Sequence, residues 1–469
     1  MTDLLGRASG MEQAEETMLA ARFPADFSWG VASSAYQIEG AVAEEGRGPS
    51  IWDTFSHTPG RVANGETGDI ACDHYHHWAD DVELMASLGV KAYRFSVSWP
   101  RVLPGGSGAV NEQGVAFYDR LVDRLLERGI EPVLTVYHWD LPQALQDRGG
   151  WTSPSMAEWF ADYAGLLAER LGDRVRTWVT LNEPQCFAFM GNGSGQHAPG
   201  LRDWGTALRV ANGALAAHAA AATRIRAVAV NARVGVALDL NHVEPASAAE
   251  ADVEAARRHQ AIRQGWFLDP LFGRGYPELA LAAHRAAGQL PDLELPAQEG
   301  PGLDFLGLNY YTREIVAADA LAPFGLRMVR RDGVRRTTMG WEVYPDGLRQ
   351  VLLRLQRDYA PAAIVVTENG AAFADADPTD GAAVQDTDRR EFLAAHLAAA
   401  AAAIEEGVPL IGYHAWSLLD NFEWEKGYGQ RFGLVQVDYA TQRRRVKASG
   451  AWYRSLLAAH RGQGDMSRG

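Results

Sequence analysis

Two glutamates stand in settings alike enough to suggest a shared task. Glu183 lies in Thr180-Leu181-Asn182-Glu183-Pro184 and Glu368 in Val366-Thr367-Glu368-Asn369-Gly370. Each follows a short, largely apolar run and has an asparagine beside it. Alone, either could be a capping or surface residue. Together they meet the needs of a reaction in which one carboxyl donates a proton to a departing oxygen while the other, ionised, attacks or activates water. That division requires unequal pKa values, and burial with mutual repulsion favours one proton shared between the two groups. Two such carboxylates facing each other across a sugar-sized gap are the apparatus for cleaving a glycosidic bond.

The elements that must position them can be read from the hydrophobic pattern. Strand-like runs occur at 27–35, 92–99, 132–139, 177–181, 234–241, 305–311, 364–367 and 411–417. Helical patterns lie between them, among others at 77–88, 114–128, 156–171, 204–228 and 388–406, and Gly89, Gly129 and Gly407 fit helix C-caps. Strands alternating with helices imply a parallel sheet, and eight such units imply a single (β/α)₈ TIM barrel. In that architecture the C-terminal strand ends converge on one pocket, so Glu183 after strand four and Glu368 after strand seven share its mouth. The barrel is expected over residues 23–460, with 1–22 a loosely ordered tail and 461–469 a second, short one. Two stretches, 290–302 and 371–385, read as loops or excursions rather than domains.

Composition removes several other classes. The net charge of −15 and pI near 5.4 disfavour phosphate backbones and anionic lipid, so no nucleic-acid or membrane partner is expected. The lysines are Lys91, Lys426 and Lys447, none at the C-terminal end of a strand-like run, which argues against Schiff-base chemistry. Cys72 and Cys186 are too far apart for a disulfide framework or a redox pair. Neither a secretory leader nor a membrane-length apolar run is apparent, and a reducing, cytoplasmic location is the expectation. His74, His76 and His77 crowd together without a recognisable metal-ligand spacing, and Gly191, Gly193 and Gly195 follow no phosphate-binding pattern. No metal or cofactor is expected.

Glu183 and Glu368 with their flanks resemble the two signature motifs of family-one glycoside hydrolases, the β-glucosidase family. The resemblance runs from Phe23 to about Tyr453. It includes Phe27-Ser28-Trp29-Gly30, Ala35-Tyr36-Gln37-Ile38-Glu39-Gly40, Ala71-Cys72-Asp73-His74-Tyr75 and Tyr93-Arg94-Phe95-Ser96-Val97-Ser98-Trp99. Tyr137-His138-Trp139-Asp140-Leu141-Pro142, Leu308-Asn309-Tyr310-Tyr311, Asn421-Phe422-Glu423-Trp424, Gly427-Tyr428 and Arg431-Phe432-Gly433 continue it. The resemblance implies a retaining mechanism, with Glu183 as acid/base and Glu368 as the nucleophile that forms a covalent glycosyl-enzyme. It gives Arg94 and Tyr311 contacts to Glu368, and places Asn309 near both carboxyls. Asn182 would bond the sugar 2-hydroxyl. Gln37, His138, Trp416, Glu423 and Trp424 would hold the terminal sugar, and Trp341 would stack on the leaving group. These types suit a pyranose without the family: amide, carboxylate and imidazole read hydroxyls, and indoles cover C–H faces. Of the 14 tryptophans, Trp139, Trp341, Trp416 and Trp424 are assigned to sugar binding, the rest to core filling.

The implied partners are small β-glucosides or cello-oligosaccharides, with β-galactosyl and β-fucosyl glycones also open. Within the family, a 6-phospho-β-glycosidase is the rival reading, opposed by Glu423, which would repel phosphate. A myrosinase-like member would lack Glu183. A non-catalytic, glycoside-binding relative would have lost one carboxylate. Gln185 stands where many relatives carry Trp, and a polar amide there is expected to weaken stacking on aromatic leaving groups.

Overall fold

Residues 14–291, 302–375 and 383–466 are described by a computed structural model. Of the two excursions read from sequence, 292–301 and 376–382 lie outside these residues.

The eight strand-like runs become eight strands: β1 (Ser28–Ala32), β2 (Ala92–Ser96), β3 (Glu131–Tyr137), β4 (Thr177–Asn182), β5 (Arg233–Asp239), β6 (Phe305–Asn309), β7 (Ile364–Asn369) and β8 (Leu410–Trp416). They close into a barrel in the order β1-β8-β7-β6-β5-β4-β3-β2, all neighbours parallel. Near-continuous burial along the strands, as in β2, β4 and β7, explains why they read as apolar runs rather than alternating ones. Ala92, Val133, Val179, Ala237, Phe305 and Val365, one from each of six strands, form a compact apolar cluster apart from the larger core. Residues such as Leu134, Leu306 and Val366 belong to that larger core, and each such burial contributes about 1.5–3 kcal/mol.

Helices cover the barrel at His74–Leu88, Glu112–Glu127, Met156–Leu171, Trp204–Val228, Pro345–Tyr359 and Thr387–Glu405. Gly89, Gly129 and Gly407 have φ of 75°, 65° and 92°, the left-handed conformation that lets a chain leave a helix without a Cβ clash. The three clustered histidines fall in the first of these helices; His74 bonds Asp81 (2.8 Å), which also pairs with Arg444 (2.9 Å), so that histidine is committed to structure.

Three boundaries differ from expectation. β1 stops at Ala32, and Ala35–Ile38 turns into a short helix that swings Gln37 inward; Ser34 Oγ donates to Gln37 Oε1 (2.6 Å). The stretch expected to be a tail through residue 22 is helical over 14–20, with Ala20 in the core and Arg22 bonded to Glu405 (2.7 Å). The C-terminal helix Ala448–Met466 runs beyond residue 460, where Arg461 donates to the carbonyl of Gly89 (2.7 Å). Both ends therefore dock by burial and hydrogen bonding that local sequence does not announce.

Two features aim the barrel mouth. β4 shifts register against β5 between Val179 and Asn182, and β7 shifts against β6 between Val366 and Glu368. Such irregularities bend a strand and re-aim its side chains, and they fall just where the two glutamates emerge. Above the rim, a small sheet of His242–Pro245, Arg313–Ala318 and Leu326–Val329 extends the wall on the β5–β6 side.

Candidate active site

A cavity of about 490 Å³ opens at the C-terminal strand ends, and Glu183 and Glu368 both line it. His138, Trp139, Asn182, Tyr311, Trp341, Trp416, Glu423 and Trp424 line it as well. Arg94, Asn309 and Gln37 stand behind this lining, nearly or fully buried, and reach it through the residues they hold. The residues given catalytic or sugar-binding roles from sequence thus gather at one place.

The two carboxyls have unequal company. Glu368 is gripped by Arg94 Nη1 at Oε1 and by the Tyr311 hydroxyl at Oε2. Arg94 is fixed in turn by Asn182 Oδ1 (2.6 Å), the Thr367 carbonyl (3.2 Å) and Thr135 Oγ1 (3.1 Å). Glu183 receives the neutral amide of Asn309, Nδ2 to Oε1 at 2.6 Å, and no cation. Burial pushes both carboxyls upward. For Glu183 the negative neighbours Glu368 and Asp239 push further, well above the usual carboxylate range. For Glu368 the Arg94 charge and the Tyr311 hydroxyl pull back down. The pair's shared proton therefore sits on Glu183.

Asn309 ties the two together. Its Nδ2 bonds Glu183 and Asn182 Oδ1 (3.1 Å), and its Oδ1 accepts from Thr367 Oγ1 (2.6 Å), the residue before Glu368. Asn309 and Glu368 are register partners across β6 and β7, which brings the amide that bonds Glu183 beside the other acid.

A ring cluster forms one end of the cavity. His138 lies 6.0 Å from both Trp416 and Trp424, nearly parallel to each, and Trp139 packs 4.5 Å from Trp424. Trp139 spends its indole N–H on the Asn182 carbonyl (2.8 Å). Asn182 Nδ2 lies 3.0 Å from His138 Nε2, which places the ring proton on Nδ1, and that buried atom has no partner among the described residues. Burial and the nearby Arg94 hold His138 neutral. Gln37 Nε2 reaches the Phe422 carbonyl (2.9 Å) and Glu423 Oε2 (3.4 Å). Burial, then Glu425 and Glu368, push Glu423 up to about 8. Trp139, Glu183 and Trp424 all adopt positive φ (79°, 44° and 48°), a strain of about 1–3 kcal/mol each that the surrounding packing must hold.

The second end was not legible in the motifs. Asp239, Asn241, Arg263 and Glu314 line the wall next to Glu183, while Glu425 bonds His197 (2.9 Å) and Gln196 (2.7 Å) at the rim. Asp239 closes β5, so the rule that found Glu183 and Glu368, a polar residue ending a strand, would have found it too. Arg263 and Glu314 lie on excursions that only the fold brings over the mouth. Met339, Phe432 and Trp341 pack together as an apolar face.

Gln185 corrects an expectation. It is 1% exposed and absent from the lining; its Nε2 donates to the Asp239 carbonyl (2.7 Å), tying the turn after Glu183 to the end of β5. Cys186, not Gln185, faces the cavity. The amide points away because the turn following the positive-φ Glu183 directs it toward β5.

Among known proteins, the model of glycosyl hydrolase family 1 matches residues 19–462. Beta-glucosidase A of Thermotoga maritima is 49% identical over 439 residues, covering 93% of this chain and 98% of that protein. The bifunctional beta-D-glucosidase/beta-D-fucosidase of Bifidobacterium breve is 45% identical, covering 93% and 98%. The solved structure of the Thermotoga maritima beta-glucosidase in complex with deoxynojirimycin superposes with a TM-score of 0.90 at 48% identity, covering 93% and 99%. With a closed eight-stranded barrel, two carboxyls at its mouth and likeness over nearly its whole length, this chain belongs to glycosyl hydrolase family 1.

Proposed function

We propose that the protein is a retaining β-glucosidase in which Glu183 is the general acid/base and Glu368 the nucleophile. The unequal company of the two carboxyls carries the reading. Glu368, held by Arg94 and Tyr311, is the anion that attacks the anomeric carbon, while Glu183 carries the proton for the leaving oxygen. Forming the glycosyl ester removes the charge on Glu368, so the pKa of Glu183 falls and it can deprotonate the incoming water. Both acids line one cavity, and Asn309, whose amide bonds Glu183, is the register partner of Glu368, which supports direct capture by close-set acids rather than by a water held between them. An inverting pair needs roughly 6.5–9.5 Å between the groups to admit a water.

His138 Nδ1, Gln37 and Glu423 supply donors and acceptors for hydroxyls of the terminal sugar, and Trp416 and Trp424 cover its faces. Asn182 is the candidate for the 2-hydroxyl, and Trp341 for the leaving group. A phosphorylated sugar is disfavoured by the carboxylates of Glu425 and Glu368, which face the same cavity. The natural substrates in this reading are β-linked glucosides, cello-oligosaccharides among them, with β-fucosides a second glycone to assay. The two thiols, Cys72 and Cys186, are buried and unpaired, which supports a reducing, cytoplasmic setting.

The deciding experiment follows hydrolysis of an aryl β-glucoside by NMR. The first sugar released is expected in the β configuration, and first release of the α anomer overturns the mechanism. Glu183→Gln should slow poor leaving groups by about 10²–10⁴-fold and remove the basic limb of the pH profile.

A further inference from the structure

We propose that Asp239 and Arg263 form the leaving-group side of the site and select a second neutral sugar over an aromatic leaving group. The inference rests on the glycosidase reading above and adds the class of group that departs. The proton on Glu183 must reach the leaving oxygen, so whatever lies just past Glu183, away from the His138–Trp424 cluster, faces the group attached to that oxygen. Asp239 is there. It ends the strand beside Glu183's own, two residues beyond Ala237, whose carbonyl accepts from the Glu183 N–H (2.8 Å).

Asp239 and Arg263 both line the cavity, and among the described residues neither side chain has a hydrogen-bond partner. Asp239 Oδ2 is 3.7 Å from Arg263 Nη2, too long for a hydrogen bond, and Asp239 Oδ1 is buried with no partner. Their side chains are 13% and 25% exposed, enough to be reached from the cavity and too little to be well hydrated. By contrast the neighbouring Glu314 is spent on His259 (2.6 Å), and Arg313 on Glu244 (2.7 Å). Polar groups so enclosed and without hydrogen bonds call for an explanation, and a ligand is the one their position offers.

A pyranose leaving group supplies what they lack: a hydroxyl that donates to Asp239 Oδ1, and hydroxyl oxygens that accept from the Arg263 fork. Its C–H face can rest on the apolar cluster of Trp341, Met339 and Phe432. An aryl group satisfies the apolar face and leaves the polar pair dry. A site built to hydrogen-bond a substrate hydroxyl discriminates strongly against an analogue lacking it. Gln185, anchoring the Asp239 carbonyl, keeps the pair in place.

The test measures kcat/KM of the full-length chain for cellobiose and for 4-nitrophenyl β-glucoside, in the parent and in Asp239→Leu and Arg263→Met. In either variant the cellobiose-to-aryl ratio should fall by about tenfold or more, mostly through a higher KM for cellobiose. A smaller change in both overturns the proposal. Asp239→Asn, which keeps the shape, replaces a variant that does not fold; there a fall of less than about threefold overturns it. Failure of the parent to hydrolyse either substrate would instead sink the glucosidase reading, so the two failures are told apart.

Discussion

Tyr311→Phe isolates what holds the nucleophile ionised. The Tyr311 hydroxyl donates to Glu368 Oε2, while its ring packs 5.2 Å from Trp341 and 6.3 Å from Phe432. Burial first, then the adjacent Glu368 and Glu183, push the phenol well above its ordinary pKa, so it remains an O–H donor across the working range. Phenylalanine keeps the ring contacts and removes only that bond. A hydrogen bond to a charged group is worth about 1.5–3 kcal/mol, and at 1.36 kcal/mol per unit the Glu368 pKa should rise by about 1–2 units. Because Glu183 keeps its proton through this step, the change falls on the acidic limb. The measurement is kcat/KM for an aryl β-glucoside between about pH 4 and pH 9, which reports the free enzyme's acid and base. The acidic limb should move up by about 1–2 units while the basic limb stays, narrowing the bell. The same bond helps Glu368 depart from the glycosyl ester, so deglycosylation should slow by up to about 10–150-fold. A folded variant whose acidic limb lies within about 0.3 unit of the parent's would refute the assignment of Tyr311 as the donor that sets the nucleophile's charge.

Three further substitutions probe the frame around the site. Lys447 is fully buried between Asp420 (2.7 Å) and Asp375; Lys447→Met leaves two buried carboxylates short of a cation and should cost about 3–5 kcal/mol in urea denaturation, an unchanged midpoint counting against it. Gly370 follows β7, and a Cβ there would lie 1.6 Å from the Trp416 carbonyl, so Gly370→Ala must displace the end of β8; activity should fall at least about tenfold, and a folded, fully active variant would show that the strands can part. Asn309→Ala removes the amide that bonds Glu183 and accepts from Thr367, and should lower kcat by about 10²-fold with a smaller change in KM; a pure KM effect would make Asn309 a sugar-binding group instead.

Much of the fold is local in origin, and so it could be read. Each barrel strand is largely buried on both faces, which demands an apolar run in the sequence itself, and three of the covering helices end where Gly89, Gly129 and Gly407 take positive φ. Eight such units leave one common closed solution, and the strand-end rule then puts Glu183 and Glu368 at the mouth. The short helix carrying Gln37, the docked segment at 14–20 and the helix past residue 460 were missed because their order comes from distant partners: Glu423, Glu405 and Gly89.

The pair of acids, the barrel that presents them and the residue types suited to a sugar are all written in the order of residues along the chain. Which acid keeps the proton was decided by tertiary structure, because charge depends on distance in three dimensions: Arg94 is 89 residues from Glu183 and 274 from Glu368, yet it touches only the latter. The same holds for Gln185, which the chain turns away from the cavity, and for Asp239 and Arg263, which it turns toward it. Side-chain identity names what a residue can do; the packing around it sets its partners, and the partners set its charge and its aim.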